Sequence, residues 1–298
     1  MKELVVISGK GGTGKTSIVA SFAALAKNKA LADCDVDAAD LHLVLEPEIE
    51  HTEDFSGGKQ ARIITDKCNR CGRCYEVCRF EAVKRTSDPD DEAAGVDYRI
   101  DPISCEGCGV CVRACPVDAI AFEPAINGQW FRSQTRCGPM VHARLGIAEE
   151  NSGKLVSLVR NEARKIAEEQ GLEMVIIDGS PGIGCPVIAS ITGADMVLVV
   201  TEPTQSGQHD LQRVMELTRH FGIKTMVCIN KWDLNAEMAG KIEDQVRQEG
   251  VAMAGNVRYD NAFTQSQINK LSVVEYTDNG VAGDIRKLWE NVFQVLNG

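Results

Sequence analysis

Eight of the twelve cysteines fall into two runs of identical spacing, Cys68-x₂-Cys71-x₂-Cys74-x₃-Cys78 and Cys105-x₂-Cys108-x₂-Cys111-x₃-Cys115. Thiolates at this density are metal ligands rather than disulfide partners when the chain resides in a reducing compartment. Thiolates spaced two apart can bind three corners of one [4Fe–4S] cubane, and the last cysteine of each run crosses to the other cluster. Cys68, Cys71, Cys74 and Cys115 are therefore expected to hold one cluster, and Cys105, Cys108, Cys111 and Cys78 the other. Structural zinc more often pairs two separate two-cysteine knuckles, so the tight spacing disfavours it. A second constellation, Gly9-Lys10-Gly11-Gly12-Thr13-Gly14-Lys15-Thr16-Ser17, follows an apolar strand at residues 4–7 and opens a helix. Its glycines let successive N–H groups curl around phosphates, and the helix N-terminus adds positive potential. Lys15 would reach the β- and γ-phosphates, and the Thr16 hydroxyl would ligate Mg²⁺.

These residues must be carried by ordered elements. After the first helix a second strand ends near Ala32, just before an acidic loop. From about residue 63 to 123 cysteine, glycine and charge replace helical periodicity, and a linker with no clear period runs over about 124–151. Regular alternation then returns, with an amphipathic helix at 154–169. Buried strands are read at 174–177, 196–200 and 226–229, with helices near 208–221, 235–249 and 283–296. Short apolar strands alternating with helices imply an α/β fold, a mostly parallel sheet with helices on both faces, interrupted by a small insert. The expected division is 1–60 and 125–298 as the two parts of a P-loop ATPase domain, with 61–124 as the insert.

Lys10, just after the first glycine, is the mark of the deviant Walker A loop, and the chain outside the insert resembles the MinD/ParA/Mrp class of ATPases. The resemblance implies that Lys10 reaches a partner's nucleotide across a sandwich dimer, either a homodimer or a heterodimer with a similar ATPase subunit. It implies a first switch at Asp33-Cys34-Asp35-Val36-Asp37, with Asp35 orienting the attacking water and Asp33 in the outer shell of the metal. Asp37 is an alternative. Asp178-Gly179-Ser180-Pro181-Gly182 resembles the second switch, with Asp178 near Mg²⁺ and the Gly182 N–H sensing the γ-phosphate. Asn230, in Asn230-Lys231-Trp232-Asp233, is by resemblance the adenine reader. That tetrapeptide is also similar to a GTPase guanine signature, so ATP over GTP rests on the Lys10 loop. The cysteine block resembles two-cluster bacterial ferredoxins, although Arg79 stands where a proline often follows the first run and the spacer at 80–104 is long.

Four cysteines remain. Cys34 and Cys228 read as small core residues. Cys185 follows the second switch, where the nitrogenase iron protein places a bridging cysteine downstream. Cys137 and His142 fall in the linker, where packing is preferred to a metal site. A net charge of −11 argues against nucleic acid as partner. No segment approaches a bilayer span, and the last helix carries only Arg286 and Lys287 against Asp284 and Glu290, so membrane attachment is not expected. The expected setting is cytoplasmic. Three functions are compatible with the parts: ATP-gated electron transfer through the clusters to a redox partner, an Mrp-type cluster scaffold or carrier that hands over to an acceptor protein, and a MinD/ParA-type positioning switch. Stable four-cysteine ligation favours the first, and the third leaves eight cysteines without a purpose.

Overall fold

The computed structural model describes residues 1–87, 96–146 and 152–298; parts of the spacer at 80–104 and of the linker at 124–151 lie outside them. The strands are β1 (Lys2–Ser8), β2 (Lys29–Asp33), β3 (Glu48–Phe55), β4 (Gly58–Ile63), β5 (Val83–Ser87), β6 (Val96–Ile100), β7 (Ile120–Ala125), β8 (Gly128–Thr135), β9 (Gly138–Leu145), β10 (Met174–Pro181), β11 (Met196–Thr201), β12 (Lys224–Asn230) and β13 (Ala252–Val257). Two compact units are present, the first built on Met1–Glu53, Trp130–Leu145 and Ser152–Gly298, the second on Asp54–Gln129.

The first unit is an α/β layer structure around one sheet of order β13-β12-β11-β1-β10-β2-β9-β8-β3. From β13 through β9 every neighbouring pair is parallel. Leu4, Val5, Val6 and Ile7 of β1 are all fully buried, because a parallel strand covered by helices on both faces has no solvent side on which to place polar residues. The helices α1 (Lys15–Leu25), α2 (Leu41–Leu45), α5 (Ser152–Glu169), α6 (Cys185–Ile191), α7 (Gln205–His220), α8 (Ala236–Gln248), α9 (Ala262–Ile268), α10 (Val273–Tyr276) and α11 (Val281–Asn297) belong to this unit, and α3 (Arg73–Val77) and α4 (Val110–Ala114) to the other.

The stretch read as a linker is in fact β8 and β9, which extend the sheet beside β2, with Asp33 level with His142. Only Arg136 and Cys137 separate β8 from β9, and adjacent strands joined so tightly run antiparallel. The pattern was missed because Met140, Val141, His142 and Ala143 are buried consecutively, without the alternation that marks a half-exposed strand. Cys137 belongs to the apolar core, and Cys34 and Cys228 are fully buried. α11 packs on the core through Ile285, Leu288, Trp289, Val292 and Leu296, with the Trp289 and Phe22 rings 4.9 Å apart. Phe293 on the same helix is 46% exposed, its ring 5.4 Å from that of Trp289 and tilted 39° to it. Among the described residues no helix is long and apolar enough to cross a membrane.

The second unit is built twice over the same plan. β4 pairs antiparallel with β7 from Gly58↔Ala125 to Ile63↔Ile120, and β5 with β6 from Val83↔Ile100 to Ser87↔Val96. Each cysteine run turns into a five-residue helix, α3 or α4, through a left-handed glycine, Gly72 (φ 75°) or Gly109 (φ 72°). Cys74, Val83, Ala61 and Ile120 form its small core, with Cys78, Cys105, Cys111 and Cys115 packed against it.

Candidate functional site

In the first unit the C-terminal ends of the parallel strands gather the loops that the sequence singled out, the position where α/β sheets bind ligands. Gly14 caps α1 with φ 87°, and a Cβ there would stand 2.3 Å from Asn230 Nδ2, so both conformation and space demand glycine. The phosphate loop opens onto a cavity of about 420 Å³, lined by Gly11 to Ser17, Asp35, Asp40, Pro181, Asn230, Lys231 and, on the far side, Tyr259, Asp260, Phe263 and Gln267.

Lys15 lines this cavity yet is held by the protein, its Nζ 2.5 Å from Asp178 Oδ1 and 3.2 Å from Asp35 Oδ2. Burial pulls its pKa down, but the charges of Asp178 and Asp35 outweigh burial and hold it above the ordinary lysine value. Asp33, fully buried on β2, accepts from Asp35 N and Leu41 N at 3.2 Å each. It fastens the loop after β2 from within and does not line the cavity. Burial and the Asp178 charge push its carboxyl well above the usual range. Burial raises Asp35 as well, against the opposing charge of Lys15. Asp178 Oδ2 is buried with no hydrogen-bond partner, as is Thr13 Oγ1, a pair of orphaned oxygens beside the phosphate loop.

The other donors are likewise engaged. The Gly182 N–H donates to Ser8 O at 2.8 Å. Asn230 Nδ2 donates to Thr13 O at 2.7 Å and its Oδ1 accepts from Lys231 N, so this side chain ties β12 to the phosphate loop. Lys231 Nζ donates to Gly12 O at 3.0 Å. Lys10 turns away from the cavity: its Nζ lies 2.5 Å from Glu202 Oε1, 3.0 Å from Ser206 Oγ and 3.4 Å from Thr204 Oγ1. Glu202 also meets Lys231, at 3.4 Å. Burial would raise its carboxyl, and the two lysines hold it below the ordinary value.

Sequence reasoning missed Glu202 and the far wall of Tyr259, Asp260, Phe263 and Gln267. Asp233 gave one usable signal, since its Oδ1 accepts from Tyr259 N at 2.7 Å and so fixes that wall to the Asn230–Asp233 loop. Cys185 is exposed at the start of α6. His142 is buried, hydrogen-bonded to Ser133 Oγ at 3.0 Å and stacked on Phe131; burial, with His42 nearby, lowers its pKa to about 4. Among the described residues no group of three or more His, Cys, Asp or Glu could hold a metal ion.

The second unit brings the two cysteine runs together. One small cavity is lined by Cys68, Cys71, Cys74 and Cys115, the other by Cys105, Cys108, Cys111 and Cys78. Each set takes three thiols from one run and one from the other.

A family model described as the CobQ/CobB/MinD/ParA nucleotide binding domain matches residues 4–273. The chain belongs to this family. It is a P-loop ATPase of the MinD/ParA type, with nucleotide hydrolysis as its expected activity. An uncharacterized protein of Methanocaldococcus jannaschii is 35% identical over 243 residues, covering 78% of this chain and 79% of its own length. A second uncharacterized protein of that organism is 26% identical over 248 residues, 79% of this chain and 83% of its own length. Among solved structures, the MinC:MinD cell division complex of Aquifex aeolicus is similar with a TM-score of 0.57 at 16% identity, covering 99% of this chain and 96% of that one. MinD of Pyrococcus horikoshii with Mg-ADP is similar with a TM-score of 0.57 at 15% identity, covering 98% and 95%. These likenesses establish the α/β fold. Neither the family description nor those of these structures name an iron–sulfur cluster.

Proposed function

We propose that this ATPase couples nucleotide-driven switching to electron transfer through two [4Fe–4S] clusters held in the second unit. The observation that carries the reading is the sorting of eight thiols into two cavities, three from one run and one from the other in each. That is the cross-ligation of two-cluster ferredoxins, and the donor set, all soft thiols, five of them in or against a small apolar core, suits iron–sulfur clusters. The four cysteine sulfurs of each set would each bind a different iron and so can stand farther apart than ligands around a single ion. The clusters would supply one-electron carriers; the protein supplies the thiolates and their surroundings.

In the nucleotide site Lys15 leaves Asp178 and Asp35 for the β- and γ-phosphates. Thr16 and the free oxygen of Asp178 are the groups offered to hydrated Mg²⁺, and the orphaned state of Asp178 Oδ2 supports that role. Asp35, released from Lys15, orients the attacking water, while Asp33 keeps the first switch in register. Gly182 exchanges Ser8 O for the γ-phosphate. Lys10 leaves Glu202 to meet the nucleotide of a second protomer, a copy of this chain or a similar subunit. Tyr259, Asp260, Phe263 and Gln267, which line the same cavity as Asn230, wall the space for the base.

The test is an anaerobic redox titration followed by EPR, in MgATP, MgADP and no nucleotide. A potential shift of about 59 mV for a one-electron carrier corresponds to a tenfold change in equilibrium, about 1.4 kcal/mol of coupling. A shift of that size is expected. Equal potentials in all three states, with intact clusters and active hydrolysis, would instead favour the cluster carrier, a reading to which the exposure of Cys71 and Cys108 lends support.

A further inference from the structure

The surroundings of the two exposed cysteines differ. Cys108 is flanked by Glu106 and by the apolar Val110, with Phe80 lining the same cavity. Cys71 lies between the exposed Arg70 and Arg73. Arg70 extends to Asp97 on β6, 2.7 Å away. Two residues further along β6, on the same strand face, stands Arg99, directly opposite Lys84 of β5; both are exposed. Like charges placed opposite one another in an antiparallel pair destabilise the sheet. Asp101, on which both charges act, already accepts from Ser104 Oγ at 2.8 Å and Ile103 N at 3.2 Å. Behind this face Arg85 lies 5.6 Å over the Tyr75 ring, which itself meets Tyr98 at 6.1 Å. Arg70 and Arg73 thus flank an exposed thiol in sequence, and Arg70 reaches through Asp97 to the β5–β6 pair that carries Lys84 and Arg99, on a chain whose net charge is −11.

We infer that the face of Arg70, Arg73, Lys84 and Arg99 beside Cys71 docks an acidic electron-carrier protein, which exchanges one electron with the cluster held by Cys68, Cys71, Cys74 and Cys115. The inference rests on the cluster reading above. One electron passes between carriers, with no bond formed or broken. An acidic partner is repelled by most of this chain and attracted here, so charge selects the docking end as well as the rate.

The test uses the full-length holoprotein, with iron and sulfide quantified first; absence of both would sink the cluster reading itself rather than the surface. The probe is an acidic two-cluster ferredoxin. Its dithionite-reduced form is mixed with oxidised protein in a stopped-flow spectrometer, and binding of its oxidised form is measured by biolayer interferometry. The K84E/R99E variant is expected to lower the low-salt rate constant and to raise Kd, each about tenfold, with cluster content and ATPase activity unchanged. K84Q/R99Q should give a smaller change of the same sign, and E106K, at the other cluster, should not slow the reaction. Salt should erase the difference between wild type and variant, as screening requires. Rates and Kd within twofold of wild type for both variants at low salt would overturn the inference.

Discussion

Replacing Lys15 by methionine keeps the unbranched stem and removes one charge from a site where three carboxylates converge. Asp33 and Asp178 are fully buried and Asp35 is 8% exposed, and Lys15 is the cation bonded to two of them. Breaking a buried pair from one side typically costs about 3–5 kcal/mol. Here proton uptake limits that cost. Neutralising one aspartate whose unfolded pKa is about 3.9 costs about 4 kcal/mol at pH 7 and about 1.5 kcal/mol at pH 5. In the variant the folded carboxyl has its pKa raised, so the penalty is absent below the unfolded pKa and grows as pH rises above about 4. With roughly 2–4 °C per kcal/mol for a chain of this size, calorimetry without nucleotide should show Tm lowered by about 8–16 °C at pH 7 but only about 3–6 °C at pH 5. An equal depression at both pH values, or none at pH 7, would refute the assignment of Lys15 as counter-ion to this carboxylate cluster.

Two further outcomes are expected. Glu202→Gln removes the charge that holds Lys10 and Lys231 in place, and calorimetric titration should show MgADP binding tightened about three- to tenfold, on the order of 1 kcal/mol; weaker binding would mean that Glu202 shapes the loop rather than restrains its lysines. Cys78→Ala should deplete the cluster of Cys105, Cys108 and Cys111 by EPR and iron content while ATP hydrolysis persists, and loss confined to the other cluster would contradict the pairing.

The sheet was legible wherever a strand is buried on both faces, because runs such as residues 4–7 and 196–200 have no other reading between glycine-rich loops and amphipathic helices. β3 was not, since all of it except Phe55 is exposed and its charged sequence carries no inward face to detect. β9 failed for the opposite reason, as consecutive burial at 140–143 erased its period, and β8 is buried at Trp130, Ser133 and Thr135 without strict alternation, two of the three being polar. The phosphate loop could be read locally because consecutive residues supply both turn and helix start. Glu202 could not: its meaning depends on β11 lying beside β1, which brings residues nearly two hundred positions apart within reach of one carboxylate. Asn230 was visible as part of a motif, but its bond to Thr13 O is a property of the folded loop pair.

The β4–β7 ladder begins at Gly58↔Ala125. Directly opposed residues of an antiparallel pair stand only about 5 Å apart, so the whole cysteine segment departs from and returns to nearly the same point. A chain can therefore acquire or lose such a segment by recombination at that stem without stretching the polypeptide on either side, because closing the remaining gap takes no more than a tight turn.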